Sequence, residues 1–431
     1  MVELSADNIL EYLANTPQIT FEITERCNLS CIYCGYGKLY SNRGERKNRD
    51  LPIAKAICFL EYLKNLWVLG NDTQGDSYIT ISFYGGEPLL NIESIKRIIA
   101  YIESNLCGYK KKIIYSMTTN AILLFKHIDY LVEKQFKLLI SLDGDEQGSS
   151  LRIFHNGMPA FNKIISEVDY VSHKYPKYFD TNVEFNSVLS TKTTVEEIID
   201  FIEQRYGKKP TISEINPEGV NPKEKYLFES IHRKKWSGTA ITKVQNKNSY
   251  DFLTHPYFER AARYILMHSP YVYMDYNELL FNNQNRRKEL PTGTCFPFVK
   301  KVFITVSGQI MPCERISYTY ALGTVYENAV SIDFKAIADK YNKYYNRVRP
   351  VCQKCANNEG CLSCMFSNGQ LESSHSICSY FMSSKDAKNM KNEIGQFLGS
   401  SDISSGLMIV LSQYSHNPIH EERNIIYSLK L

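Results

Sequence analysis

One stretch limits what this chain can be more than any other: Phe21-Glu22-Ile23-Thr24-Glu25-Arg26-Cys27-Asn28-Leu29-Ser30-Cys31-Ile32-Tyr33-Cys34. Three cysteines at C-x3-C-x2-C follow directly on a strand-like run from Ile19 to Thr24. Three thiolates on one short loop can converge on one face of a [4Fe–4S] cube, hold three of its irons and leave the fourth without a protein ligand. That vacancy suits chelation by a small molecule with adjacent amino and carboxylate groups. The other reading of such a loop is a zinc knuckle, which closes with four ligands. No fourth Cys or His lies nearby.

With the aromatic Tyr33 before its last cysteine, the loop resembles the signature of the radical SAM enzymes. From about 18 to 216, strand-like and helix-like segments alternate. Strands are expected over Gln18–Thr24, Tyr78–Tyr84, Lys112–Met117, Phe136–Leu142, Thr181–Leu189 and Thr211–Ile215, with helices such as Pro52–Leu69, Asn91–Asn105, Ala121–Lys134 and Thr194–Tyr206 between them. Alternation at this spacing predicts βα units and a parallel sheet, an α/β fold. Six units fit a partial (β/α)6 TIM-like barrel better than the full eight. In such barrels the chemistry sits on loops at the carboxyl ends of the strands.

The other motifs fall on those loops. After the second strand comes Gly85-Gly86-Glu87-Pro88, where two glycines permit close backbone approach and an acidic side chain stands ready for a cationic group. It resembles the GGEP motif that holds the amino group of S-adenosylmethionine (SAM) in that family. The third strand ends in Thr119-Asn120 and the fourth in Ser141-Leu142-Asp143-Gly144. The latter is similar to the family's SLDG segment, so the resemblance implies SAM contacts from Ser141 and Asp143. It further implies a pairing of Arg152 with the SAM carboxylate, and ribose- and adenine-facing positions at Asn186 and Leu189. A plain Gly-Gly turn and plain strand-to-turn exits are the structural alternatives.

A second constellation begins at Cys295 and continues with Cys313, Cys352, Cys355, Cys361, Cys364 and Cys378. Seven thiols, several at C-x2-C spacing, predict metal binding, and on spacing alone zinc and iron–sulfur remain open. The pattern resembles the SPASM extension of radical SAM enzymes, which modifies peptides and carries two auxiliary [4Fe–4S] clusters, three clusters in all. Carried over by position, Cys352, Cys355, Cys361 and Cys378 would hold the outer cluster, and Cys295, Cys313 and Cys364 the inner one. Only Leu362 and Ser363 separate Cys361 from Cys364, where the family commonly has three residues, and no eighth cysteine lies between Cys107 and Cys295. The inner cluster is then expected to have an open iron or a ligand from elsewhere. Glu314 follows Cys313, where similar sulfatase maturases carry a proton-abstracting Asp; it is a candidate base, or a surface carboxylate near Arg315.

The expected organisation is an N-terminal helix and turn (1–17), the barrel (18–216), a polar bridge (217–292) with one helix near His255–His268, the cysteine-rich SPASM domain (293–381) and a C-terminal helix with two short strands (382–431). A formal net charge of +4 over 431 residues argues against general polyanion binding. Twelve cysteines without an export-like start argue for metal ligation rather than disulfides. Cys58 and Cys107 read as packing residues. The expectation is a cytoplasmic peptide maturase, with neither nucleic acid nor membrane as partner. It would cross-link a ribosomally made precursor peptide through a thioether, C–C or C–O bond. Expected partners are an electron donor such as flavodoxin or ferredoxin and, for leader recognition, either a separate leader-binding protein or the chain's own 217–292 and 382–431 segments. The alternatives are an anaerobic sulfatase-maturating enzyme and, from another class, a zinc-stabilised peptide- or RNA-binding protein.

Overall fold

The computed structural model describes residues 3–41, 46–70, 78–106, 112–235, 292–358, 361, 363–368, 371, 378 and 380–399. Six strands follow the expected ranges closely: β1 (Gln18–Thr24), β2 (Tyr78–Gly85), β3 (Lys112–Thr119), β4 (Lys137–Ser141), β5 (Val183–Leu189) and β6 (Thr211–Glu214). Each pairs in parallel with the next, so the sheet runs in chain order. Helices return the chain between strands: α2 (Ile53–Val68), α3 (Ile92–Asn105), α4 (Leu124–Glu133), α5 (Phe161–Lys174), α6 (Pro176–Asn182) and α7 (Val195–Tyr206), with α1 (Ala6–Ala14) ahead of β1. This is the mixed α/β architecture of a partial barrel, and every strand points its carboxyl end the same way.

Local sequence explains where these elements start and stop. Before α7, Thr194 and Glu197 close a capping box, each side chain accepting the other's backbone N–H, and Gly207 ends the helix in the left-handed conformation. Pro176 opens α6 directly after α5, which ends at Lys174. All of β1 except Gln18 is buried, because sheet neighbours cover both of its edges and helices cover its face.

The strands past residue 300 belong to the same sheet. β7 (Val302–Ile304) pairs in parallel with β1, and β8 (Gln309–Met311), β9 (Gly323–Val325) and β10 (Val330–Ile332) follow antiparallel. The ten strands run β10-β9-β8-β7-β1-β2-β3-β4-β5-β6. β7 and β8 form a hairpin that turns at Ser307-Gly308, with Gly308 at φ 92°. A Cβ there would stand 2.2 Å from the Val325 carbonyl oxygen. Buried Glu22 on β1 holds the junction, accepting from the Val306 N–H at 3.0 Å and pairing with Arg46 at 2.8 Å. After β10 come α8's later counterparts: α8 itself is Lys225–Ile231, α9 is Phe334–Gln353 and α10 is Ser384–Leu398. α9, unforeseen in the sequence reading, packs Ile337, Tyr341, Tyr344, Tyr345 and Val348 into the core. The expected bridge helix near 255–268, the strands at 407–411 and 424–429, and Cys107 lie outside the described residues.

Candidate active site

The loop carrying Cys27, Cys31 and Cys34 leaves the carboxyl end of β1, and the chain clamps it from two sides. At its start the buried Glu25 carboxylate accepts the N–H groups of Lys47 and Arg49 and the Arg49 guanidinium at 2.7 Å. Burial pushes Glu25 up, but these donors prevail and hold its pKa below the usual value. Arg26 pairs with Asp50 at 2.8 Å. On the far side, Ser30 N–H donates to Ile153 O at 2.7 Å and Ile32 N–H to Leu151 O at 3.0 Å. His155 Nε2 meets Cys27 O at 2.8 Å, a brace that spans most of the barrel in sequence. Within the loop, Cys34 N–H reaches Cys31 O and Gly37 N–H reaches Cys34 O.

These contacts gather the three thiols. Each of the other two raises the pKa of Cys27, which burial drives to about 12; burial likewise takes Cys31 to about 11. Without a bound cation both are neutral thiols, so loading a metal group displaces protons. The Cys27 sulfur accepts from Leu29 N–H at 3.4 Å and Asn120 Nδ2 at 3.7 Å. Asn120 also donates to Asn28 Oδ1 at 2.7 Å, which ties the end of β3 to the loop.

The two glycines after β2 are needed for the sake of this loop. Gly86 N–H donates to Thr24 O at 2.9 Å and Glu87 N–H to Arg26 O at 2.8 Å. A Cβ on Gly85 would stand 2.4 Å from Thr24 O, and one on Gly86 would stand 2.0 Å from Arg26 O. The motif therefore presses its backbone against the residues that launch the cysteine loop. Pro88 then opens a short 3-10 turn, buried beside Leu89. Glu87 is fully buried and accepts from Leu89 N–H at 3.1 Å, Thr119 Oγ1 at 2.8 Å and Asn120 N–H at 2.8 Å. Burial outweighs these donors and lifts its pKa to about 7.

Asp143, fully buried after β4, occupies the centre of a second network. Its carboxylate accepts Arg152 Nε at 2.9 Å, Arg152 Nη2 at 2.8 Å, the Val188 N–H at 2.8 Å and the Tyr33 hydroxyl. Arg152 is itself buried and lies 5.5 Å from the Tyr33 ring centroid. Asp143 and Arg152, both expected against a ligand, thus engage each other first, and through Tyr33 they anchor the segment between Cys31 and Cys34. Ser141, the last residue of β4, stands opposite Asn186 in the middle of β5, both partly exposed, while Leu189 at the end of β5 is buried.

The later cysteines fall into two sets. Cys352, Cys355, Cys361 and Cys378 line one small open recess, with Tyr380 and Phe381. Met382 N–H donates to Cys355 Sγ at 3.3 Å. Cys295, Cys313 and Cys364 all act on the buried Tyr341, and burial pushes the Cys313 thiol to about 12. Gly293 N–H to Ser363 O at 3.1 Å and Met365 N–H to Thr294 Oγ1 at 2.7 Å join the segments that carry Cys295 and Cys364. Among the described residues no three His, Cys, Asp or Glu side chains stand close enough to hold a single metal ion. Glu314 accepts from Lys301 Nζ at 3.1 Å and is about one-fifth exposed. Burial opposes its ionisation, but the Lys301 ammonium beside it prevails and keeps its pKa below the usual value.

The Radical SAM superfamily model matches residues 21–205, from β1 to α7. Residues 21–205 form a radical SAM domain. The family implies SAM and one [4Fe–4S] cluster, and the three-cysteine loop lies within the matched span. The radical SAM cyclopropyl synthase TigE of Paramaledivibacter caminithermalis is 26% identical over 193 residues, 42% of this chain and 38% of the relative. The cysteine-type anaerobic sulfatase-maturating enzyme of Clostridium novyi is 24% identical over 225 residues, 48% of this chain and 55% of the relative. The chain thus spans little more than half the length of these curated relatives, or less. A solved structure, native anSMEcpe with bound AdoMet, superposes with a TM-score of 0.58 at 15% identity, over 90% of this chain and 99% of its own, and so shares the fold. That likeness extends well past the radical SAM domain into the cysteine-rich region. No helix among the described residues is long and apolar enough to cross a membrane.

Proposed function

We propose that this chain is a radical SAM peptide maturase that installs a cross-link, as a thioether, C–C or C–O bond, in a ribosomally made precursor peptide. The observation that carries this reading is the pairing of a braced three-thiol loop in the radical SAM domain with seven further cysteines in the region whose strands extend the same sheet. When bound, SAM and its cluster supply one-electron cleavage of SAM to methionine and a 5′-deoxyadenosyl radical that takes hydrogen from substrate carbon. Cys27, Cys31 and Cys34 would hold that cluster. Their fit rests on two donors aimed at the Cys27 sulfur and on the partial burial of all three thiols. Cys352, Cys355, Cys361 and Cys378 would hold an outer auxiliary cluster, and Cys295, Cys313 and Cys364 an inner one.

The protein's own groups would place SAM. Arg152 spends two N–H donors on Asp143, and the rest of its fork suits a carboxylate. Thr119, Asn120, Ser141 and Asn186 border the same end of the sheet. Glu87 would meet the amino group with the lone pair its three donors leave over. A carboxyl with a pKa of about 7 must lose its proton to pair with a cation. Its contribution to SAM affinity is therefore small at about pH 6, half present near pH 7 and nearly complete by about pH 8. Between pH 6 and 8 the ratio of dissociation constants, Glu87→Gln over wild type, should rise by roughly tenfold. Calorimetric titration of SAM into the two reconstituted proteins measures it, and a flat ratio would remove Glu87 from the amino-group site.

The sulfatase-maturase reading draws on the Clostridium novyi relative, but Glu314, paired with Lys301, is a weaker base than a free carboxylate. A small electron-transfer protein, flavodoxin or ferredoxin in type, would supply electrons, and a separate protein would recognise the leader. Peptides encoded beside the gene, incubated with reconstituted enzyme, SAM and reductant, test the proposal by mass spectrometry. Loss of two hydrogens with a fragmentation pattern locating a cross-link supports it. A cysteine or serine converted to formylglycine replaces it with the maturase reading.

A further inference from the structure

Tyr341 on α9 is buried in the core, about 1% exposed, and its hydroxyl has no hydrogen-bond partner among the described residues. A buried hydroxyl without a partner costs on the order of 1–3 kcal/mol, so a native fold that keeps one has a use for it. The ring is fixed by edge contacts with Phe366 at 5.4 Å and Tyr345 at 6.1 Å. Phe366 lies two residues from Cys364, whose segment is tied to that of Cys295 through Thr294. Cys364, Cys313 and Cys295 lie within electrostatic reach of this hydroxyl, as does its neighbour Tyr345.

We propose that the Tyr341 hydroxyl is the hydrogen-bond donor to a sulfur of the inner auxiliary cluster held by Cys295, Cys313 and Cys364. The inference rests on the auxiliary-cluster reading above. Donation, not ligation to the open iron, follows from the setting. A phenol is protonated near neutral pH and burial disfavours the phenolate further, so the group gives a hydrogen bond. Cluster sulfurs are its natural acceptors, since they carry the negative charge that grows on reduction. A donor there stabilises the reduced state and raises the potential. The bond would make the inner cluster the easier of the two auxiliary clusters to reduce, suited to accepting the electron that a substrate radical gives up as its new bond closes.

The test is a redox titration of the reconstituted holoenzyme followed by electron paramagnetic resonance, with Cys295→Ala identifying the inner signal. In Tyr341→Phe, iron and sulfide per chain should match wild type. The inner midpoint should fall by about a factor of ten in the reduction equilibrium, about 59 mV for one electron. An exchangeable-proton coupling to the inner signal should disappear, while the other two signals stay in place. An unchanged inner midpoint, or a retained proton coupling, overturns the proposal. Loss of the inner cluster in Tyr341→Phe overturns it in favour of ligation. Zinc in place of iron at the C-terminal cysteines of wild type overturns it together with the auxiliary-cluster reading, and metal analysis tells that case from the others.

Discussion

Asp143→Ala should destabilise the metal-free protein by about 3–5 kcal/mol, the cost of leaving one member of a buried ion pair without its partner. Arg152 is 5% exposed and Asp143 fully buried. A guanidinium cannot shed its charge to escape that position. The same change removes the acceptor of the Val188 N–H and of the Tyr33 hydroxyl, so it loosens β5 and the cysteine loop together. Denaturant unfolding of wild type, Asp143→Ala, Arg152→Ala and the double variant measures the effect. The double variant should cost well under the sum of the two single ones, because each single change already breaks the pair. A loss below about 1 kcal/mol for Asp143→Ala would place the pair among interactions of surface strength. Cluster retention should follow stability here, since Tyr33 is the only residue between Cys31 and Cys34 besides Ile32.

Gly86→Ala should reduce SAM cleavage by about 100-fold, through geometry and without touching a ligand. The added methyl would stand 2.0 Å from Arg26 O and 2.9 Å from Glu25 O, both backbone atoms with no rotamer to adopt. Relief requires a shift of more than an ångström in the segment that leads into Cys27, and a misplacement of that size in a catalytic site costs on the order of 10²-fold. Overpacking should also cost stability, about 1–3 kcal/mol. Gly395→Ala is the control, because a Cβ there meets nothing within 4 Å. Turnover of Gly86→Ala within threefold of wild type would show that the loop launch tolerates movement.

Much of this architecture is legible in the chain because β1 to β6 alternate with amphipathic helices, and apolar strands bounded by turn residues can be read without partners. The cysteine spacings are legible for a similar reason: ligands for one group must lie close in sequence when they share a loop. Residues 293–381 read as a separate domain, yet β7 lies beside β1, a pairing that no local pattern in Val302–Ile304 announces. α9 escaped notice because its mean composition is polar and it carries Pro350, although Ile337, Tyr341, Tyr344, Tyr345 and Val348 keep helical spacing. Partner choice is the least legible level. Asp143 and Tyr33 lie 110 positions apart, and His155 reaches Cys27 across 128. Sequence reading sent Asp143, Arg152 and Glu87 straight to a ligand, whereas the fold also uses each to hold the site in shape.

The most direct test of the account is quantitation of 5′-deoxyadenosine and methionine from SAM, using anaerobically reconstituted enzyme and a one-electron reductant. The same assay is run on a variant in which Cys27, Cys31 and Cys34 are all alanine. Formation of both products in equal amounts by the wild type, and by the variant not at all, is the predicted result. Wild type that holds iron and sulfide at the first site yet leaves SAM intact would contradict the account.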